Sequence, residues 1–460
     1  MTDYTIESGK ITCHSQTIPI VWQGDVLVLG GGPGGLGAAI SAHRLGAKVL
    51  LIEELGFLGG MCSYGCGMPI GGAHPAYISN GGIAEEIQNM TINAGQDAAD
   101  IRIKGQFSFW YFHDSEYFKS MIAELVLNEK LPVRLHTTFS DVIKDRDGHI
   151  IGVVAESKSG REALLAKTFI DATGDADAVA RTGGEYVKGR PSDGAMMAGT
   201  LVFTAADVDV ERFLQYKAKD PLFLIARKRA AINGDPIHRD EELPYLIPGM
   251  RPGTLHCNTV HIRGMDGTDT QSLSDAELQS YVRVHQIIQF FRKYIPGCEK
   301  CYASVIGARI GVRETRRIIG EDILTTEDTL SYRKRKNVIM RSAGPQDDAA
   351  RGDDRAVFGE KTKLNENEWY DIAYGCIVPK GLDNIIVAGR SFSADHLAHS
   401  GARGIGLMMC MGQAAGTAAT LVSRTNIPFR DLYVPDLQKS LIEQGCYLGD
   451  LNDEEHRKAT

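Results

Sequence analysis

An α/β fold is predicted by three features of the sequence. A short apolar run at residues 25–29 (Asp-Val-Leu-Val-Leu) ends in a glycine cluster, passes into an Ala-rich stretch from Leu36 to Leu45, and is followed by a second apolar run, Lys48–Ile52. This is a strand, tight turn, helix and strand within about 30 residues, the opening of a doubly wound parallel sheet. Residues 187–365 are more polar and richer in charge, and from about Ile372 to Val422 the buried pattern resumes. The reading is a Rossmann-like dinucleotide-binding domain, discontinuous in the chain, with an inserted α+β substrate or capping domain. Residues 1–186 form its first part, 187–365 the insertion and 366–460 the return. A length of 460 residues suits two or three such units.

The elements follow in order. Residues 120–128 have a helical pattern. Residues 131–172 read as strands, with hairpin chemistry at Asp145–His149 and a second turn at Lys158–Arg161. Lys167–Ala172 returns as a buried strand. In the insertion, Asp275–Tyr294 is the clearest helix, with Ser274 as N-cap and Glu277 completing a capping box. Asn384–Gly389 is a strand running into glycine, and Gly404–Val422 a buried helix.

Composition narrows the function classes. The net charge is −8, against the basic balance of a general nucleic-acid or anionic-membrane binder. The basic run Arg333–Lys336 reads as a solvated loop. Met1–Tyr4 shows no basic stretch leading into an apolar core, so no secretory signal is expected. Gly404–Ser423 is uncharged and long enough for a membrane span, but its small residues predict a buried helix instead. The nine cysteines are odd in number and scattered, which fits a reducing compartment, and a cytoplasmic protein is expected. Glycine is abundant: 51 residues, or about 11% against a usual ~7%. Proline does not rise with it, so these are places of close backbone approach or positive φ.

The strongest motif is Gly30-Gly31-Gly32-Pro33-Gly34-Gly35, a G-x-G-x-x-G between a strand and a helix. Gly30 allows the tight turn, Gly32 lets backbone N–H groups meet a pyrophosphate, and Gly35 lets the helix pack close to the sheet. Glu53 ends the second strand, where a carboxylate accepts ribose hydroxyls and disfavours a 2′-phosphate. An adenine dinucleotide is the expected ligand. Three further clusters follow: Gly56–Cys62, directly after the second strand; Ile170–Asp177, small residues at a strand end; and Val387–Arg390, continuing to His399–Arg403 and Gly412–Gly416. The last would close over the ring end of a cofactor, where a helix dipole and N–H groups stabilise negative charge.

Together these clusters resemble the FAD-dependent oxidoreductases related to the fumarate reductase and succinate dehydrogenase flavoprotein group. The likeness rests on G-F-L-G-G-M at Gly56–Met61, I-D-A-T-G-D at Ile170–Asp175, G-x-R-E-T-R-R at Gly311–Arg317 and G-Q-A-A-G at Gly412–Gly416. It covers most of the chain and is weakest across about 187–300. It implies FAD in a glutathione reductase-type domain. Gly30, Gly32, Pro33, Gly34, Gly35, Glu53 and Glu54 would serve the ADP half. Gly59, Gly60 and Met61 would pass the ribityl and ring, and Thr173, Gly174 and Asp175 the pyrophosphate. Gly389, Arg390, Gly412 and Ala415 would lie near the isoalloxazine. Many relatives carry an acidic residue after the counterpart of Gly389; here it is Arg390.

The same resemblance directs the catalytic candidates. Its H-G-A-N-R segment, whose Arg grips a substrate carboxylate, has the counterpart His399-Ser-Gly-Ala-Arg403, and Arg suits bidentate carboxylate binding. His396 and His399 are acid/base candidates, Arg313 a second basic group and Tyr374 a proton donor. Glu314 and Arg316 read equally as an internal ion-pair network. Cys62, Cys66 and His74 lie where a covalent flavin link or redox thiol would be sought. Cys298 and Cys301 form a C-x-x-C without the further ligands that zinc or an iron–sulfur cluster needs, and no metal is expected. Phe107, Phe109, Trp110, Tyr111 and Phe112 are an aromatic patch, as core or cavity wall.

The expected activity is hydride transfer between flavin N5 and a small polar or anionic substrate, by dehydrogenation or by reduction of an activated C=C. The single dinucleotide fingerprint leaves a flavin monooxygenase or halogenase-like enzyme as the alternative, and an FAD-binding RNA-associated or partner protein as a reading of another class. The expected partners are a small-molecule substrate, an electron donor or acceptor and possible further copies of the chain, with no nucleic acid and no membrane.

Overall fold

The computed structural model describes residues 3–7, 9–14, 17–71, 79–95, 98–104, 109–235, 246–347 and 368–449. Strand β1 (Ile20–Leu29) leads through the glycine turn into helix α1 (Pro33–Arg44), and β2 (Val49–Ile52) follows. After β3 (Val133–Arg134) come the hairpin strands β4 (Thr137–Lys144) and β5 (Ile150–Ser157) and the long β6 (Gly160–Asp171). The insertion carries β7 (Gly199–Ala206), β8 (Leu246–Pro248), β9 (Leu255–Ile262), helix α2 (Thr270–Tyr294) and β10 (Tyr302–Ile306). The return carries β11 (Ile385–Val387), α3 (His396–Ala402) and α4 (Ile405–Thr425).

The main sheet runs β3-β2-β1-β6-β5-β4, with β11 beside β6. β6 is its hub: its second half pairs in parallel with β1 and β11, and its first half antiparallel with β5. Val26–Leu29 are fully buried, as a strand covered on both faces requires. α1 and α4 cross behind the glycine turn at backbone distance. A Cβ on Gly412 would stand 2.8 Å from Gly34 C and 3.0 Å from Ala38 N, so only glycine fits. α4 is long and apolar enough to span a membrane by length and composition, yet 89% of its most apolar window is buried.

The second sheet, in the insertion, runs in the order β8-β9-β7-β10, with one face on α2.

In sequence terms Leu246–Pro248, Leu255–Ile262, Gly199–Ala206 and Tyr302–Ile306 lie side by side. Their inner face joins α2 in a second apolar core drawn from residues 201–310. Ile318, Leu324 and Val338–Met340 already belong to the first core. The cores therefore divide well before the expected return at 366, and that boundary itself lies outside the described residues.

One local expectation is corrected. α2 begins at Thr270, because Asp269 caps it by accepting from Ser272 N at 2.7 Å; Ser274 instead donates to Thr270 O. The basic run is a loop in which Arg333, Lys334 and Lys336 are exposed, as expected, but it is tied down by ion pairs. Arg333 and Arg335 pair with Asp328, Arg335 also reaches Asp322, and Lys334 Nζ sits 3.8 Å over the Trp369 ring. Cys298 and Cys301 are buried in the second core, and no metal-holding cluster occurs among the described residues.

Candidate active site

The glycine clusters converge. A Cβ on Gly30 would meet Ala172 O at 2.5 Å, one on Gly34 would meet Ala388 O at 2.7 Å, and one on Gly60 would meet Gly32 Cα at 3.0 Å. Gly59 N donates to Gly31 O at 2.8 Å, which lays the second cluster over the first. Gly32 is the N-cap of α1 and Pro33 opens the helix; no side chain caps its first N–H groups. A Cβ on Gly32 would meet nothing within 4 Å, and the same holds at Gly389. Both glycines therefore border open space, at a helix N-terminus that attracts anions.

Glu53 is buried beside this space and accepts from Gly31 N at 2.6 Å and Leu55 N at 2.8 Å. Burial pushes its carboxyl up, and the two backbone donors oppose the shift. Glu54 turns away and pairs with Arg309 of the insertion. At the end of β6, Asp171 accepts from Thr173 N, Thr173 Oγ1 and Val179 N. Its carboxyl is raised to about 6, chiefly by burial. Thr173 and Asp171 thus shape the turn that presents Gly174 and Asp175. Asp175, in the turn after β6, pairs with the side chain of Arg390, the residue after Gly389, at 2.7 Å.

The segment 313–317 ties the insertion to this turn. Thr315 Oγ1 donates to Asp175 at 2.7 Å and Arg316 pairs with Asp177 at 2.8 Å. Glu314, fully buried, accepts from Met197 N and pairs with Arg317 and with His396 Nδ1 at 3.0 Å. Arg313 Nη1 donates to Ala198 O at 2.6 Å and to Thr200 Oγ1.

Arg403 completes the basic group. Its side chain is largely buried, its Nη2 lies 3.5 Å from Asp347, and its Nε has no hydrogen-bond partner among the described residues. Burial lowers its guanidinium to about 10; Asp347 opposes, while Arg313 and Arg390 push further down. It stays cationic at every working pH.

Several candidates move. His399 Nε2 lies 2.6 Å from Arg390 O. A carbonyl only accepts, so Nε2 carries the proton and Nδ1 the lone pair. Burial, with Arg317 and Arg403 nearby, holds the ring neutral, which removes it as a general acid. Tyr374 is buried and donates to Phe429 O at 2.9 Å, away from the basic group. Gly412 serves the helix crossing rather than a ring edge, and Ala415 is fully buried in the same helix. Cys62 is fully buried, its thiol held protonated by burial. Cys66 lines a separate interdomain cleft of about 110 Å³ with His113, Asp114, Thr204, Arg251 and His256. Phe112 is core. His74, Phe107 and the side chains of Phe109, Trp110 and Tyr111 lie outside the described residues.

Sequence reasoning missed Tyr64, Arg309, Asp347 and His261. Tyr64 is influenced by Glu53, Asp175, Arg309 and Arg390 together, which brings it near all four. No local pattern marks any of the four.

A glycine turn at a helix N-terminus, a buried carboxylate beside it and converging strand ends define a dinucleotide-binding redox protein. The chain belongs to the FAD dependent oxidoreductase family, whose profile matches residues 25–441. It is an FAD-dependent enzyme. Among curated proteins it is similar to mitochondrial dihydrolipoyl dehydrogenase of Dictyostelium discoideum, 56% identical over 45 residues, 10% of this chain and 9% of that protein. It is likewise similar to glutathione reductase of Schizosaccharomyces pombe, 60% identical over 43 residues, 9% of each chain. These matches span about a tenth of either relative. Among solved structures it is similar to a geranylgeranyl bacteriochlorophyll reductase-like protein from Thermoplasma acidophilum, with TM-score 0.45, 14% identity and coverage of 92% of this chain and 84% of that one. The flavin-dependent brominase Bmp2 gives TM-score 0.45 and 12% identity, over 87% and 80% of the two chains.

The residues fit FAD. The open space over Gly32 would take a pyrophosphate against the first N–H groups of α1, and Glu53 would offer its remaining acceptor capacity to ribose hydroxyls.

Proposed function

We propose that the enzyme moves a hydride between its flavin and a small anionic substrate, by dehydrogenation or by reduction of an activated C=C. The observation that carries this reading is Arg403: a buried cation whose one ion-pair partner among the described residues, Asp347, stands at 3.5 Å and whose Nε has no hydrogen-bond partner there. A buried guanidinium so placed favours a carboxylate, which it grips through two parallel N–H bonds. Its place in the His399–Arg403 segment is the feature shared with the fumarate reductase group, and the single dinucleotide fingerprint favours a glutathione reductase-type FAD domain without a nicotinamide domain. When bound, FAD supplies the two-electron acceptor or donor. The chain orients the substrate through Arg403, keeps the Arg390 carbonyl in place through His399, and holds Asp175 against Arg390. Free cysteines among the described residues support a reducing, cytoplasmic setting.

The test is anaerobic mixing of the holoenzyme with 2-hydroxy acids, amino acids and enoates, read by flavin absorbance. Bleaching, or recovery of the reduced flavin, with an acid but not with its methyl ester is expected, and Arg403→Gln should raise the half-saturating concentration at least tenfold. NAD(P)H-dependent oxygen uptake stimulated by a neutral aromatic substrate would overturn the reading in favour of a monooxygenase.

A further inference from the structure

β7 and β9 pair antiparallel with Thr200 opposite His261, so the two side chains leave the sheet on one face. Thr200 Oγ1 is also a partner of Arg313, which brings the imidazole into the neighbourhood of the basic group. Arg283 of α2 donates to His261 O at 2.6 Å. The charged groups that bear on the ring are Arg313 from the segment before Arg316, Arg263 just beyond β9, and Arg283 from α2; no carboxylate among the described residues acts on it. Burial first, and then these three cations, hold the imidazole down to about 3. Its Nδ1 is buried with no hydrogen-bond partner among the described residues. A neutral imidazole offers one N–H and one lone pair, whereas the protonated ring offers two donors.

We propose that His261 takes up a proton when an anionic substrate seats beside Arg313, and so becomes a further hydrogen-bond donor to the bound anion. The proton comes from solvent, and no electrons move. The inference rests on the anion-site reading above. Its size follows from Coulomb's law: a unit negative charge about 4 Å away, at an effective dielectric of about 20, raises proton affinity roughly a thousandfold. The anion also offsets the three cations that keep the proton off. Binding and proton uptake are therefore linked: affinity for the anion falls as pH rises from about 3 to about 6, by up to about tenfold per pH unit, and levels off above 6. His261 acts here as a charge-sensing binding residue.

The experiment is calorimetric titration of the holoenzyme with oxalate at pH 6, in two buffers of different ionisation enthalpy, with the flavin spectrum reporting occupancy. Wild type is expected to take up about half a proton or more per oxalate bound. Its affinity should fall about tenfold from pH 5 to pH 7, whereas His261→Gln and His261→Asn are expected to bind oxalate more weakly, with uptake near zero and an affinity flat between pH 5 and 7. Oxalate binding to wild type without proton uptake overturns the inference and leaves the anion site standing. Equal uptake in both variants overturns it as well, since the proton then sits elsewhere. No oxalate binding to any of the three proteins overturns the anion-site reading and this inference with it.

Discussion

Gly32→Ala separates a glycine kept for its ligand from glycines kept for the fold. Gly32 has φ −68° and ψ −174°, extended backbone that alanine adopts freely. The added methyl would meet nothing within 4 Å. Substitution therefore leaves the FAD-free protein intact, and the smaller entropy of its unfolded chain stabilises it by about 0.4–1 kcal/mol. The methyl does enter the space in front of α1 where the pyrophosphate belongs. Losing two charge-assisted N–H bonds there costs about 3–6 kcal/mol, roughly 10²- to 10⁴-fold in affinity. Gly412→Ala is the opposite case. Its Cβ would press on backbone atoms of Gly34 and Ala38, so α1 and α4 must separate, at about 1–3 kcal/mol or more with or without FAD. The assays are denaturant midpoints of the FAD-free proteins and fluorescence titration with FAD. If Gly32→Ala binds FAD within threefold of wild type, or Gly412→Ala keeps the wild-type midpoint, the assignment of the two glycines is wrong.

Three further outcomes are expected. Glu53→Gln sets an amide N–H against one of the donors Gly31 N and Leu55 N, and a fluorescence titration should show FAD binding weakened about 10- to 100-fold, from roughly 1.5–3 kcal/mol per lost charged hydrogen bond. In wild type, FAD affinity should fall as acid protonates Glu53, beginning at a higher pH than for an exposed glutamate because burial raises its carboxyl. Glu314→Gln leaves Arg317 buried without its ionic partner; urea unfolding should show a loss of about 3–5 kcal/mol, and a loss under 1 kcal/mol would mean the pair is better hydrated than its burial indicates. Asp171, at about 6 when folded against a usual 3.8, binds its proton more tightly in the native state. Its contribution to stability is therefore full below about pH 4 and falls as pH rises through 6, by about 3 kcal/mol, measurable as the change with pH in the gap between wild type and Asp171→Asn.

The parts of the site that were legible share one property: their partners lie nearby in sequence or repeat a backbone demand. The glycine turn, Pro33 at the start of α1 and Glu53 at the end of β2 belong to one strand–helix–strand unit, where spacing alone brings a carboxylate to the loop. Asp175 was found as part of a small-residue cluster, but not its pairing with Arg390, which joins residues 215 apart. His261 sits near the end of β9 between Val260 and Ile262, and only the pairing of β7 with β9 sets it beside Thr200. The ion pairs of Arg333 and Arg335 went unread because Asp322 and Asp328, their carboxylates, lie on a preceding segment that no periodicity links to them. Tyr374 was placed by its neighbours in sequence, while its hydroxyl is claimed by Phe429 O, 55 residues away.

Gly412 shows why a motif can be recognised correctly and explained wrongly. A cofactor edge and a helix crossing both exclude a Cβ, so either one selects glycine, and the letters G-Q-A-A-G carry no mark of which. The four-residue spacing of Gly412 and Gly416 puts both on one face of α4, and both would press on α1 backbone, at Gly34 and at Ala38. Gly34 in turn follows the N-cap over which the cofactor's pyrophosphate belongs. The crossing thus holds the binding turn from behind: the methyl that Gly32→Ala adds fills the cofactor's space, while the methyl of Gly412→Ala displaces the wall of that space. Loss of FAD binding alone cannot separate these two effects, and stability measured without FAD can.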